Sequence, residues 1–173
     1  ESIPYASRGN TMLVSRQYTS NINGQIAQKI VENKILNQRK ALLSLRKYKD
    51  GIEMIDKRLE SLVEPIDDLA TLLGIEGTAA KIYFNRVFEE ANWQGRQPRV
   101  KNDVINLLLD IGYTVLFNYV DAMTSMYGFD VYKGNLHQEF YKRKSLICDL
   151  VEPFRVIVDL KIRKMYNLKQ ISE

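Results

Sequence analysis

One cysteine and one histidine in a chain of 173 residues rule out several familiar chemistries at once. Cys148 has no partner for an intramolecular disulfide, which fits a reducing cytoplasm better than a secreted scaffold. A single thiol and a single imidazole cannot build a structural zinc site of the Cys or Cys/His type, a histidine-pair zinc protease or the paired Glu-x-x-His motifs of di-iron bundles. Glycine-rich phosphate loops are missing as well. So is a long unbroken apolar run: VINLLLDIGYTVLFNYV is interrupted by Asn106, Asp110 and Asn118, and reads as a core helix rather than a membrane span. No secretory signal is recognisable, so the expected setting is cytoplasmic, away from any membrane.

What is present is an ordinary globular mixture, 45% hydrophobic and 27% charged, sized for one core. The net charge of +4 is unevenly spread. Residues 1 to 49 carry nine Lys or Arg against two acids, and residues 50 to 92 carry four against ten. That asymmetry suits a polyanionic partner and equally suits an uneven solvated surface.

Helical periodicity dominates after residue 21. Residues 1 to 21 hold Pro4, Gly9 and the short apolar stretch Met12 to Val14, and read as an extended lead-in or one short strand. Ile26, Ile30, Val31, Ile35, Leu42 and Leu45 predict a long helix ending near Lys49, with Asp50-Gly51 as the break. Ile52 to Val63 predicts a second helix stopped by Pro65, Ile66 to Leu73 a short third closed by Gly74, and Ala79 to Phe88 a fourth reaching Asn92. A fifth, from about Asn102 to Tyr127, is apolar nearly all round and is expected at the centre. A last helix runs from Ser145, as N-cap, to about Tyr166, bent at Pro153. The fold class is all-α, a multi-helix domain around a central apolar helix with at most a short N-terminal strand remnant.

Few residues can carry chemistry. In the fourth helix, positions 76, 80, 83 and 87 form one stripe, which puts Glu76 among Ala80, Tyr83 and Val87 if the helix begins by residue 75. A carboxylate there needs a metal, a lysine or donors; the alternative is that Thr78 caps the helix and Glu76 lies outside it. Asp149, Glu152 and Arg155 are spaced three apart and share one polar face. A helical wheel sets Glu152 nearly opposite the apolar stripe, which favours a solvated Glu paired with Arg155. His137 sits in a loop, and a lone loop histidine is more often structural than ligating. Cys148 and His137 could form a nucleophilic pair, although Cys148 more often packs in such a place. The metal site this composition permits has one imidazole and several carboxylates, a set suited to Mn²⁺ or Mg²⁺. Around it stand Arg96, Arg99 and Lys101 in one loop, Lys142, Arg143 and Lys144 in another, and Arg155 on the last helix, all able to hold phosphates. Tyr83, Trp93, Phe140 and Tyr141 could stack on bases, though core packing is the commoner use.

Four stretches carry a resemblance: EGTAAKIYF at 76–84, DVINLLLDIGYTVL at 103–116, GNLH at 134–137 and KSLICDLVEPFR at 144–155. In order and spacing they resemble the CRISPR adaptation integrase, the metal-dependent subunit that inserts spacers into a CRISPR array. The resemblance spans roughly residues 22 to 166. It implies a helical catalytic domain over 22–173 whose Mn²⁺ or Mg²⁺ is held by Glu76, His137 and Glu152, with Asp149 lining the same pocket as a further catalytic residue. Arg155 would face DNA, and Arg96, Arg99, Lys142, Arg143 and Lys144 would add phosphate contacts. The implied reaction is transesterification, a 3′-hydroxyl of a short DNA fragment attacking a phosphodiester at the edge of a repeat, with endonuclease activity from the same site.

The implied partners are double-stranded DNA, both prespacer and CRISPR repeat, a second copy in a homodimer or higher assembly, and a small ferredoxin-like subunit. The family's N-terminal β-rich domain is almost wholly missing from this sequence, and residues 1 to 21 are expected to be its last strand and linker. The chain is thus either a helical fragment or a naturally shortened integrase. Lys144 stands where many relatives have proline. The competing expectation is a non-catalytic helical DNA-binding or scaffolding module in which the acids are solvated.

Overall fold

The computed structural model describes residues 10–91, 93–98 and 103–171. Along these the chain forms α1 (Thr11–Thr19), α2 (Asn23–Leu45), α3 (Lys49–Glu60), α4 (Leu69–Val87), α5 (Val104–Tyr127), α6 (Ser145–Val151) and α7 (Arg155–Asn167), with 3₁₀ turns at Glu89–Ala91 and Glu152–Phe154. No strand occurs among the described residues. The all-α expectation therefore holds, and several of its boundaries move.

The first to move is the lead-in. Residues 11 to 19 are helical, not extended. Asn10 accepts the Leu13 N–H at 3.2 Å and starts the helix, and neither Pro nor Gly interrupts it. Tertiary contacts then hold it: the Gln17 amide donates to the Asp130 and Lys133 carbonyls at 2.8 and 2.9 Å, and the Tyr18 hydroxyl donates to Asp130 at 2.7 Å. Three residues with weak periodicity looked strand-like because these partners lie more than a hundred positions away.

The break expected at Asp50-Gly51 falls earlier. Arg46 takes a left-handed conformation at φ 55°, donates its N–H to Leu43, and ends α2. Gly51 lies inside α3, buried, where an added Cβ would sit 3.0 Å from Arg86 Cγ. It is small because α4 passes close by. Gly74 likewise does not close a helix. Asp68 caps α4 by accepting from Ala70 and Thr71, and the helix runs through both Gly74 and Gly77. A mid-helix glycine costs about 1 kcal/mol, which burial of Leu72, Ala79, Tyr83 and Val87 readily outweighs. Ser145 is the first residue of α6 and not its cap; its hydroxyl donates to the Gln138 carbonyl at 3.0 Å. Pro153 does interrupt the last helix, within the 3₁₀ turn between α6 and α7.

The long apolar helix is present as α5, but the element against which most others pack is α2. It contacts α3, α4, α6, α7 and the turn at Glu152–Phe154, and buries Val31, Ile35 and Leu42 completely. α5 packs on α6 and α7 with Ile105 and Leu109 inside, while Ile111, Val115, Tyr119 and Met126 stay on the surface. By length and composition Val104–Tyr127 could cross a membrane. It also carries a fully buried Asn106, and its Asp110 and Asp121 are ion-paired to Arg96 and Lys144. Asn106 fastens the preceding loop, accepting from Arg96 and the Gln97 N–H at 3.0 and 2.9 Å and donating to the Gly95 carbonyl at 3.1 Å.

α5 and α7 meet at a point where only glycine fits: a Cβ on Gly112 would lie 2.4 Å from Val158 Cγ1. Gly112→Ala is expected to destabilise the fold by about 1–3 kcal/mol through overpacking. Urea denaturation measures this, and unchanged stability would contradict the close approach.

Candidate active site

Two carboxylates from distant parts of the chain converge on one ammonium. Glu76 lies within α4, since Thr78 does not cap but donates its hydroxyl to the Gly74 carbonyl inside the helix. Its side chain is four-fifths buried and ion-pairs with Lys34 of α2. Glu152, in the 3₁₀ turn, accepts from the same Lys34 at 2.5 Å and from Arg155 at 2.9 Å. Glu152 is therefore not a solvated residue: it is 6% exposed. The wheel misplaced it because the 3₁₀ turn at Pro153 breaks the helical register and α2 covers it from the other side.

Electrostatics keep Glu152 and Lys34 charged. Burial opposes ionisation of Glu152, yet Lys34 and Arg155 beside it hold its carboxyl below the ordinary range. A smaller contribution comes from His137. For Lys34 burial again works against the charge, and the two glutamates prevail and raise its pKa.

Asp149 occupies a different position from the shared polar face expected of it. It is fully buried, and its oxygens accept the backbone N–H groups of Asn135, Leu136 and His137 at 2.6, 3.0 and 2.9 Å. The same carboxylate meets His137 Nδ1 at 2.7 Å. It folds the GNLH loop around itself and fixes the imidazole so that Nε2 is left for another partner. Gly134 permits that fold, since a Cβ there would lie 2.7 Å from the His137 carbonyl and 2.8 Å from Ser145 Cβ. With its ring on Asp149, His137 does not form a pair with the half-buried Cys148.

Among the described residues no group of three or more His, Cys, Asp and Glu side chains is close enough together to hold a metal ion. By the chemistry of its donors the set nevertheless suits one: Glu76 and Glu152 direct oxygens at a single cation, the Lys34 ammonium, and the His137 ring is oriented by Asp149.

The cations divide into two groups. Lys142 and Arg143 are exposed, Lys142 at the turn of the loop with φ 60° and its ammonium over the Tyr141 ring. Arg96, Lys144 and Arg155 are tied to Asp110, Asp121 and Glu152, and Arg96 and Arg155 both lie over Tyr113. Arg99 and Lys101 lie outside the described residues. Of the aromatics, Tyr83 is fully buried and Trp93 packs on Phe88 at 4.9 Å, so both serve the core, whereas Phe140 and Tyr141 are 73% and 81% exposed.

Sequence reading missed three members of this neighbourhood: Lys34, Gln38 and Asp159. With Tyr113, Arg96, Glu152 and Arg155 they line a cavity of about 320 Å³ beside the ion-paired glutamates. The signal available was a polar pair, Lys34 and Gln38, one turn apart in a helix whose other core positions are apolar.

Fold and pocket together define an all-helical domain with a carboxylate and imidazole centre and a basic rim. The family model described as CRISPR associated protein Cas1 matches residues 2–173, and the chain belongs to that family. A CRISPR-associated endonuclease Cas1 of Thermodesulfovibrio yellowstonii is 32% identical over 178 residues, covering 94% of this chain and 56% of the relative. That of Francisella tularensis subsp. novicida is 33% identical over 155 residues, covering 82% and 49%. The chain thus spans about half the length of the curated relatives it matches. Among solved structures, a partial Cas6-RT-Cas1–Cas2 complex superposes with a TM-score of 0.86 at 26% identity, covering 97% of this chain and 53% of that one. A casposase bound to integration product gives 0.78 at 26% identity, covering 95% and 49%.

Asp159 generates a pH prediction. Burial pushes its carboxyl up to about 6, against the Tyr113 hydroxyl that donates to it. The folded state then binds the proton more tightly than the unfolded one, so this residue favours folding below the unfolded pKa and loses that contribution as pH rises through 6. Asp159→Asn, which keeps an acceptor for Tyr113, is expected to stabilise the protein at pH 7.5 by about 1–3 kcal/mol and to change little at pH 4. Urea denaturation at the two pH values decides; equal effects at both would refute it.

Proposed function

We propose that this domain, residues 22–173, is the catalytic part of a divalent-metal-dependent DNA integrase and endonuclease of CRISPR spacer acquisition. The observation that carries the reading is the convergence of Glu76 and Glu152 on one cation, in a fold where Asp149 fixes the His137 imidazole. Membership of the Cas1 family and the likeness to a casposase bound to integration product support the substrate class.

In this reading Glu76, Glu152 and His137 Nε2 hold the ion, Mn²⁺ or Mg²⁺, and Asp149 positions the histidine. A bound ion supplies polarisation of a phosphoryl oxygen and neutralises charge on the five-coordinate phosphorus. The exchange is one phosphorus–oxygen bond for another. The incoming 3′-oxygen of the short fragment forms the new bond, and the resident 3′-oxygen leaves and takes up the proton that the attacker has lost. Lys142 and Arg143 meet the DNA backbone directly from the loop after His137. Arg155 neutralises the phosphate from the pocket wall, with Arg96 and Lys144 further along the strand. The partners are prespacer and repeat DNA, a second copy of the chain and a small ferredoxin-like subunit, in a prokaryotic cytoplasm. The likeness to a partial Cas6-RT-Cas1–Cas2 complex supports assembly with another subunit.

A second reading rests on the Lys34 bridge: a non-catalytic module in which Glu76 and Glu152 are structural ion partners. One experiment separates them. With Mn²⁺ or Mg²⁺, Glu76→Ala and His137→Ala are each expected to reduce transfer of a 3′-hydroxyl DNA end into repeat-containing DNA by at least about 100-fold, with circular dichroism unchanged. Full activity in either variant, or in excess chelator, would sink the catalytic reading.

A further inference from the structure

A buried lysine between two proposed metal ligands poses a physical question. Lys34 is 12% exposed at its side chain, and its ammonium takes oxygens from both Glu76 and Glu152. A divalent ion directed to the same two oxygens cannot share their space with the ammonium, so one cation must yield. The surroundings offer the ammonium a second place. Lys34 lines the 320 Å³ cavity together with Gln38, one turn along the same helix face, and with Asp159 of α7. Gln38 Oε1 is buried and lacks a hydrogen-bond partner, and Asp159, 1% exposed, has the Tyr113 and Tyr83 hydroxyls beside it but no ion pair among the described residues. A buried acceptor left unpaired is costly, as is a buried carboxylate without a cation, and both residues line one cavity with a lysine.

We infer that Lys34 is a displaceable internal cation of the acidic pocket, paired with Glu76 and Glu152 when no metal is bound and moved to the Gln38 and Asp159 acceptors when a divalent ion enters. This rests on the metal-site reading above and adds a positioning residue to it. In the metal-free state the ammonium keeps two buried carboxylates from repelling each other and holds them at the spacing an ion requires. Its displacement sets the metal affinity, because part of the metal's binding energy is spent on moving it. Asp159, ionised at neutral pH, is what makes the second position favourable. Arg155 and Tyr113 flank the route and stay where they are, held by Glu152 and Asp159.

The test is Mn²⁺ binding at pH 7.5 to the protein without DNA, read from the electron paramagnetic resonance signal of free Mn²⁺. Lys34→Met, which keeps the aliphatic stem, is expected to bind Mn²⁺ about tenfold more tightly than the parent, since no cation competes. Asp159→Asn is expected to bind about fivefold more weakly in the Lys34 background and to have no effect in the Lys34→Met background, the signature of coupling through the ammonium. Lys34→Gln serves in the same way if the methionine variant does not fold. Lys34 variants that bind no more tightly than the parent overturn the inference. So does an Asp159→Asn loss of equal size in both backgrounds, which a remote charge would produce. If neither parent nor variants bind Mn²⁺, the metal-site reading itself fails.

Discussion

Charge inside a helical core has to be compensated where it lies, and in this domain one ammonium compensates two carboxylates. Removing a carboxylate from water costs several kcal/mol unless a partner replaces the lost solvation. Lys34 is that partner for Glu76 and Glu152, and it comes from the helix that touches most of the rest. The packing of α2 against α4 and against the turn at Pro153 is thus inseparable from the electrostatics of the pocket. Moving either neighbour by an ångström or two would leave a buried charge unpaired.

A further buried carboxylate organises the other half. Asp149 collects three consecutive backbone N–H groups and one imidazole nitrogen, which makes the GNLH loop an extension of α6 rather than a mobile connection. Hydrogen bonds to a carboxylate buried away from water are strong because no solvent competes for the acceptor. The consequence is division of labour: Asp149 holds the histidine, Glu152 faces the cation, and their spacing of three residues puts them on different jobs because a 3₁₀ turn starts at the second of them.

Much of the fold was legible in the sequence. The apolar period in residues 26 to 45, the turn residues around Pro65 and the bend at Pro153 all lie where helices begin, end or break within a few positions. The register of Glu76 against Ala80, Tyr83 and Val87 also held, because helix periodicity is local geometry. Glycines misled: Gly51 and Gly74 read as helix breaks, yet Gly51 is small to admit Arg86 and Gly74 passes unnoticed within a packed helix, while Gly112, of which the sequence held no hint, admits Val158. Whether a glycine ends a helix or admits a neighbour depends on what lies across from it, which periodicity does not contain.

The residues of the pocket divide on the same line. Residue types by themselves limited the site to one imidazole and several carboxylates and excluded thiolate metal centres, because those depend only on what the chain contains. Which acids converge, and on what, was decided by packing across 42 and 118 positions of sequence, the separations of Lys34 from Glu76 and Glu152. Lys34 drew no notice in the sequence, and Glu152 read as a solvated acid. Only the crossing of α2 over α4 and the turn beside it brought them together, since the free energy of an ion pair depends on distance and burial and neither is set by local sequence.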